Sequence, residues 1–328
     1  MTTSLAPQPV VADLPWQERS ARHLLSLTEI GPDNLSLLVD RSLEFARHGV
    51  GVPPLIGKTV GIYFKRTSTR TRTAFTVATI KLGATPVAYG PNDLQICTGE
   101  TIRDTARVLA GYLDALVVRT NDSIDEMRAF ASQNEMAVIN AMSATEHPTQ
   151  AIADLVTMKE VFGRLDGVEV LYVGEGNNSA SALAFATALT PGMRLVLLTP
   201  EGYGLEPDLL EPARGLSVSN GSVVEQQHDI GSVKGKFDVV YTTRWQTMGV
   251  PKPDRDWKEK FEPYCVTEEL MDRFSRNSST VFMHDLPAVR GEDVVDAVLD
   301  GPQSVAFRQA RHKLTSAMSV LAWCVRGS

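Results

Sequence analysis

The sequence predicts an α/β protein with two doubly wound parallel-sheet domains joined by interdomain helices. Short apolar runs typical of buried strands alternate with segments of helical periodicity, a pattern that favours parallel sheets covered by helices on both faces. This pattern restarts after Gly163 and Gly167, so a second unit follows the first. The 328 residues, 43% of them hydrophobic, are long enough to bury two cores.

The first unit is expected to begin with helices at about residues 16–27 and 34–47, after an arm at residues 1–15 that lacks helical periodicity. The next apolar runs predict four strands, at residues 59–64, 85–89, 115–118 and 136–140. The first helix between these strands is expected to end near residue 82. The next two are expected to cover residues 100–113 and 123–133.

Pro148 suits the first turn of a helix that runs to about Phe162 and links the two units. The second unit contains five strand candidates, at residues 168–173, 194–198, 223–227, 237–241 and 280–283. A long amphipathic helix from about Val305 closes the chain. We therefore expect one domain at residues 1–150, completed by the helix at 305–328, another at 151–304, and a ligand site between them.

Composition excludes several classes of function. The formal net charge of -7 argues against a nucleic-acid-binding protein, which would carry a broad basic surface. No run approaches the roughly 18 consecutive apolar residues of a membrane span, and the N-terminus lacks a secretion signal, so we expect a cytoplasmic protein without membrane contact. Cys97, Cys265 and Cys324 show no metal-type spacing, and we expect neither a metal nor a cofactor.

The segment Ser68–Arg72 follows the first strand directly and opens a helix. A dianion bound there would accept hydrogen bonds from the free backbone N–H groups of the first turn, from hydroxyls and from guanidinium groups. It would also lie at the positive end of the helix dipole. The alternative is a solvated basic run, which is common for clusters of Lys and Arg. Because the whole chain is acidic, a small phosphorylated ligand fits this segment better than nucleic acid.

Further motifs follow this segment in order: Arg119 at a strand end, His147-Pro148-Thr149-Gln150 opening a helix, and His284-Asp285-Leu286-Pro287 near the C-terminus. The ordered set resembles the aspartate/ornithine transcarbamylase family from about Arg22 to the final helix. The resemblance implies a trimer with active sites shared between subunits. It also implies transfer of a carbamoyl group from carbamoyl phosphate to a small amine, with the first domain binding carbamoyl phosphate and the second binding an amino-acid acceptor.

The resemblance also implies roles for individual residues on the carbamoyl-phosphate side. The phosphate is expected to bind to Ser68, Thr69, Arg70, Thr71 and Arg72, and to Gln95 of the adjacent subunit. Thr71, Arg119 and His147 are expected to converge on the carbonyl oxygen, with Gln150 holding the carbamoyl NH₂ group. Taken singly, His147 could be a structural histidine and Arg119 a surface charge; the joint arrangement favours catalysis.

The acceptor side is ambiguous. Asn177 and Asn178 resemble the asparagine pair that binds the amino-acid carboxylate in ornithine-type enzymes, although either could instead cap a helix. Thr243-Arg244-Trp245-Gln246 resembles the aspartate-type pattern, whereas Thr247-Met248-Gly249 nearly reproduces an ornithine-type turn. Thr243 stands where ornithine-type enzymes have an aspartate for the α-ammonium, and Asp285 stands where they have a cysteine.

Three readings follow from these residues. The first is a carbamoyltransferase whose acceptor is a modified or shortened amino acid rather than ornithine. The alternatives are an ornithine carbamoyltransferase that makes citrulline and a non-catalytic binding protein of the same fold. The expected acceptor-binding residues are Asn177, Asn178, Thr243, Arg244, Gln246, Thr247, Met248, Asp285, Leu286 and Arg311.

Overall fold

The computed structural model describes residues 22–246, 252 and 254–326. Half of the helix expected at residues 16–27 lies before this range, and residues 22–26 are not helical. Leu24 instead forms a bridge with Ile139, so the chain enters the fold as an extended segment beside a strand. The expected helix at 34–47 belongs to a longer one, which kinks at Gly31 because this residue has a φ of 74°.

The strands carry the apolar runs of the sequence, and their bounds agree with the expected ones within two residues. They are β1 (Thr59–Phe64), β2 (Thr85–Tyr89), β3 (Ala115–Arg119), β4 (Ala137–Met142), β5 (Glu169–Val173), β6 (Arg194–Leu198), β7 (Val223–Gln227), β8 (Val239–Thr242) and β9 (Val281–His284).

Helices cover both faces of these strands. They are α1 (Leu27–His48), α2 (Arg70–Lys81), α3 (Ile102–Ala110), α4 (Asp125–Phe130), α5 (Pro148–Phe162), α6 (Asn178–Ala188), α7 (Pro207–Asn220), α8 (Trp257–Phe261), α9 (Glu268–Phe274), α10 (Asp296–Leu299) and α11 (Ala306–Arg326). Within the part of the chain that the structure describes, no helix is both long and apolar enough to span a membrane.

The strands form two sheets in which every pair is parallel, so the predicted fold class is confirmed. The first sheet has the order β2-β1-β3-β4 and the second the order β7-β6-β5-β8-β9. In each sheet the chain reverses its direction of winding once, between β1 and β3 and between β5 and β8. Such reversals open crevices at the carboxyl ends of the strands, where α/β proteins bind ligands.

Two long helices connect the sheets. Helix α5 follows β4 of the first sheet and packs against α6 of the second domain, while α11 packs against α5, α1 and α2. Val60 of β1, Leu155 of α5, Val170 of β5 and Leu321 of α11 all belong to one buried apolar cluster. Because the two sheets and the linking helices share this core, the two crevices are held facing each other.

Candidate active site

One cavity of about 240 Å³ lies where the two crevices meet. Its lining comes from loops that follow β1, β3, β5, β8 and β9 and from the start of α5 and the middle of α11. The lining residues are Thr67, Ser68, Thr69, Arg70, Thr71, Arg119, Asn121, Met142, His147, Gln150, Asn177, Asn178, Ser179, Thr243, Arg244, Gln246, Asp285, Leu286, Pro287 and Lys313. Most residues that the sequence singles out therefore meet in one place.

The phosphate motif forms one side of the cavity. Thr69 is the N-cap of α2 and makes no side-chain capping bond, so the Thr69 side chain satisfies no backbone N–H group of the first turn, which lies at the cavity wall. The buried Nε atoms of Arg70 and Arg119 have no hydrogen-bond partner in the described structure. Burial lowers the pKa of Arg70, and Asp285 partly offsets that shift. Such unpaired, desolvated cations favour binding of an anion.

Arg72 does not line the cavity, although the motif assigns it to the phosphate. Its guanidinium donates to the Phe64 carbonyl at 3.4 Å and lies over the Phe64 ring, with its carbon 5.2 Å from the ring centroid. A residue two positions after Arg70 points to a different side of the helix, which explains the divergence. Arg72 therefore braces the start of α2 against the end of β1.

Arg119, Thr71 and His147 lie together at the centre of the cavity. Arg119 donates through Nη1 to the Thr71 hydroxyl at 3.3 Å. Burial, followed by the neighbouring Arg70, lowers the pKa of Arg119 to about 10. Burial also lowers the pKa of His147 well below its ordinary value, aided by Lys313 and Arg119. The imidazole is therefore neutral, and it can donate from Nε2 if Nδ1 accepts from Thr149, 3.4 Å away.

Gln150 has its side-chain amide oriented by buried partners. Its Nε2 donates to Asp154 Oδ1 at 2.7 Å, and its Oε1 accepts from the ammonium of Lys313. Asp154 also accepts from Gln309 at 2.7 Å and from the Tyr241 hydroxyl at 3.1 Å. These bonds assign the two ends of the Gln150 amide and hold the side chain in one orientation at the cavity wall.

Lys313 is a site residue that the sequence analysis missed. Arg311, the residue expected in its place, is exposed and does not line the cavity. Burial lowers the pKa of Lys313 to about 8, although Asp285 and Asp154 oppose the shift. A signal was available, because Lys313 continues the buried face of α11 that carries Gln309 and Ala317. A lysine within such a face is rarely buried without a function.

The two asparagines differ in role. Asn177 caps α6: its Oδ1 accepts from the backbone N–H groups of Ser179 and Ala180, at 2.9 and 3.2 Å. Asn178 Nδ2 donates to the Ser143 carbonyl at 2.8 Å, and its own carbonyl accepts from the His147 N–H at 3.1 Å. The capping alternative therefore describes Asn177. Asn178 ties the second domain to the loop that carries His147.

Gly176 allows the loop between β5 and α6 to form. A Cβ at this position would lie 2.3 Å from the backbone carbon of Gly204, so only glycine fits the close approach of the two loops. The Gly176 N–H donates to the Tyr203 carbonyl at 2.8 Å. This contact places the N-terminus of α6 beside the cavity.

Thr243 and Asp285 follow adjacent parallel strands and contact each other. The Thr243 hydroxyl donates to Asp285 Oδ1 at 2.9 Å, and the Ser179 hydroxyl donates to Asp285 Oδ2 at 2.8 Å. Ser179 is a second residue that the sequence analysis missed, since it lies inside a helix rich in alanine that reads as packing. Arg244, Gln246 and Leu286 line the same side of the cavity.

Other expected site residues lie elsewhere. Thr247 and Met248 are outside the residues that the structure describes. Gln95 is exposed on a 3-10 turn at Gln95–Thr98, where its Oε1 accepts from Thr98, and it does not line this cavity. Trp245 packs behind the cavity, with its ring 5.4 Å from that of Phe261.

Comparison with known proteins assigns the family. Residues 22–160 match the model of the aspartate/ornithine carbamoyltransferase carbamoyl-P binding domain, and residues 166–324 match that of the Asp/Orn binding domain. The chain belongs to the aspartate/ornithine carbamoyltransferase family. It is therefore a carbamoyltransferase, and a reaction of this class accounts for a cavity that combines unpaired cations with neutral hydrogen-bond donors.

Relatives in this carbamoyltransferase family match over nearly their full length. The ornithine carbamoyltransferase of Oceanobacillus iheyensis is 39% identical, with 91% of this chain and 92% of the relative covered. That of Hyperthermus butylicus is 37% identical, with 92% and 96% covered. The solved structure of ornithine carbamoyltransferase from Pyrococcus furiosus has a TM-score of 0.87 at 35% identity and covers 94% of this chain and 98% of its own.

Proposed function

We propose that this carbamoyltransferase transfers the carbamoyl group of carbamoyl phosphate to the amine of an amino-acid-like acceptor, giving a ureido product and phosphate. The observation that carries the proposal is the pair of guanidinium groups of Arg70 and Arg119. Their buried Nε atoms lack partners, and they share one cavity with a neutral His147. A dianion and a developing oxyanion would supply the missing acceptors.

The residues divide the reaction between them. The first turn of α2 and Arg70 bind the phosphate, while Arg119, Thr71 and His147 donate to the carbonyl oxygen as it gains charge. The amine lone pair attacks the carbonyl carbon, the C–N bond forms, and the C–O bond to phosphate breaks with its electron pair. The amine proton leaves on the departing phosphate, so no protein base is needed.

The acceptor is proposed to be a shortened or modified amino acid rather than ornithine. Thr243 is neutral, and the carboxylate on this side of the cavity is Asp285 instead. Ornithine is the second candidate, favoured by the names of the relatives. These two candidates differ in where the acceptor's free ammonium must lie.

The test combines binding with turnover. Carbamoyl phosphate and a stable phosphonate analogue are expected to raise the melting temperature of the wild-type protein, and an Arg70→Met variant is expected to lose that shift. Ureido product should form from carbamoyl phosphate and at least one amino acid in a panel. Absence of both the thermal shift and the product would contradict carbamoyl transfer and favour a non-catalytic binding protein.

Gln95 is proposed to complete the phosphate site of a neighbouring subunit in a homotrimer. Its exposed position on a turn outside the cavity supports this role. Trimers mixed from Gln95→Ala and Arg119→Met subunits should regain activity, because some sites then receive Gln95 and Arg119 from different chains. Activity that stays at the level of the separate variants would exclude sharing of sites.

A further inference from the structure

Asp285 is the one acidic residue among the described residues that line the cavity. It directly follows β9, and only 14% of its side chain is exposed. Hydroxyl groups of Ser179 and Thr243 hold its two oxygens at 2.8 and 2.9 Å. Each carboxylate oxygen can accept a further bond, so the group is oriented but not saturated.

No cation contacts this carboxylate directly. Across residues 22–246, 252 and 254–326, no lysine or arginine nitrogen lies within 4.0 Å of it. His284 Nδ1 lies 3.5 Å from Oδ1, but this nitrogen accepts from the Leu286 N–H at 2.8 Å. The hydrogen bond to Asp293, 2.7 Å from Nε2, places a ring proton on Nε2, and Nδ1 has none to donate to Asp285.

The Asp285 carboxylate is largely buried and has hydroxyl donors but no contacting cation, so a ligand ammonium can form a direct charge-assisted hydrogen bond with it. We propose that Asp285 binds the non-reacting ammonium of a compact diamino acid, whose second amine, two or three carbons away, attacks carbamoyl phosphate. This inference rests on the proposed function. Arg244 and Gln246 on the same side of the cavity provide a guanidinium and an amide for the acceptor's carboxylate.

The position of Asp285 favours a short spacing between the two nitrogens. The carboxylate is close enough to Arg70, Arg119 and Lys313 to oppose the lowering of each pKa. These cations surround the place where the carbonyl and phosphate groups would bind. Ser179, which donates to Asp285, follows Asn178 in the chain. The Asn178 carbonyl accepts from the His147 N–H at 3.1 Å, so the carboxylate lies near the loop that carries His147. We therefore expect two or three carbons between the bound ammonium and the attacking amine rather than the four of ornithine.

A neighbouring ammonium also helps the chemistry. Positive charge close to an amine lowers its pKa, because it disfavours the protonated form. The attacking nitrogen is then neutral at lower pH, and its lone pair is free to form the C–N bond as the C–O bond to phosphate breaks. The released proton goes to phosphate, and the Asp285 ammonium pair is unchanged by the reaction.

The experiment compares acceptors of graded length at saturating carbamoyl phosphate. The panel is L-2,3-diaminopropionate, L-2,4-diaminobutyrate, L-ornithine and β-alanine, the last of which lacks the second nitrogen. We expect kcat/KM for one of the first two to exceed that for ornithine and for β-alanine by about 100-fold. Preference for ornithine, or equal use of β-alanine, would overturn the inference while leaving carbamoyl transfer intact.

Variants separate binding of the ammonium from a structural role. Asp285→Asn keeps the shape and is expected to raise KM for the preferred diamino acid at least about 50-fold, without losing the thermal shift given by carbamoyl phosphate. Glu292→Gln, which alters an exposed carboxylate on the same loop, is the matched control and should behave as wild type.

A second variant covers the case in which Asp285→Asn fails to fold. Thr243→Val removes one of the two hydroxyl donors and should raise the same KM about tenfold, without losing the thermal shift given by carbamoyl phosphate. An unchanged KM for the diamino acid in either folded variant would overturn the assignment. Loss of the carbamoyl phosphate shift in wild type would instead contradict the proposed function.

Discussion

The two sides of the cavity differ in how far their polar groups are already satisfied. On the phosphate side, the Nε atoms of Arg70 and Arg119 have no partner. On the acceptor side, the groups bond one another: Asn178 donates to a carbonyl, and Ser179 and Thr243 hold Asp285. The phosphate side thus offers guanidinium donors that still lack an acceptor, whereas the acceptor side presents a carboxylate that is already oriented by hydrogen bonds.

The largest expected effect on kcat/KM comes from removing the Arg119 guanidinium on the phosphate side. Arg119→Met should lower kcat/KM for carbamoyl phosphate by about 10³-fold, because it removes the buried cation next to Thr71. Steady-state assays at saturating acceptor measure this loss. Arg107→Met, which alters an exposed arginine on α3, is the control. A loss below tenfold for Arg119→Met would contradict its central role.

Lys313 lies where the two sides meet and gives the next largest effect. Lys313→Met should lower kcat/KM about 100-fold, and Lys313→Arg should recover most of it if positive charge is what matters. Because the pKa of Lys313 is lowered to about 8, the wild-type ammonium loses its proton as pH rises above that value. The Arg variant keeps its charge there.

The pH profile of kcat/KM for carbamoyl phosphate from pH 6.5 to 9.5 tests this expectation. Wild type should decline on the alkaline side, and Lys313→Arg should extend that limb to higher pH. The same alkaline limb in both proteins would show that Lys313 does not supply the titrating charge.

Arg72 sharpens the comparison within the phosphate motif itself. Arg72→Met should raise KM for carbamoyl phosphate by at most about tenfold and lower stability by roughly 1 kcal/mol, since it loses a hydrogen bond and a cation–π contact to Phe64. Arg70→Met, two residues away, should change KM far more. Equal effects of the two substitutions on KM would contradict a bracing role for Arg72.

The smallest effect on turnover is expected behind the phosphate side, at Glu146. This buried carboxylate accepts from the Leu27 N–H at 2.8 Å, and burial raises its pKa to about 7. Between about pH 4.5 and 7, the native state keeps a proton that the unfolded chain has already released. The contribution of Glu146 to the free energy of unfolding therefore falls as pH rises through that window.

Glu146→Gln should remove this pH dependence while leaving kcat within about twofold. Urea unfolding measures the free energy of unfolding at pH 5 and at pH 8. The decline between these two values should be smaller in the variant than in wild type by roughly 2 to 3 kcal/mol. Identical declines in wild type and variant would contradict a protonated Glu146.

Features that depend on a few consecutive residues could be predicted from the sequence. The strands and the motif at Ser68–Thr71 are of this kind, because apolar runs and a helix start specify them locally. Arg72 and Arg311 were assigned to the site because a linear motif does not state which side of a helix faces the ligand. Ser179 becomes visible only when helices from distant parts of the chain meet at the cavity, whereas the sequence offers a signal for Lys313 as a lysine within the buried face of α11.

Asp154 adds a consequence for motion. Its two oxygens accept from Gln150 on α5, Gln309 on α11 and Tyr241 on β8, so one carboxylate joins both linking helices to the second sheet. A rotation of the second sheet against the linking helices must strain the bond from Tyr241, and the same carboxylate holds the Gln150 amide through a bond within α5. Domain rotation is therefore coupled, through one carboxylate, to the position of an amide that lines the cavity.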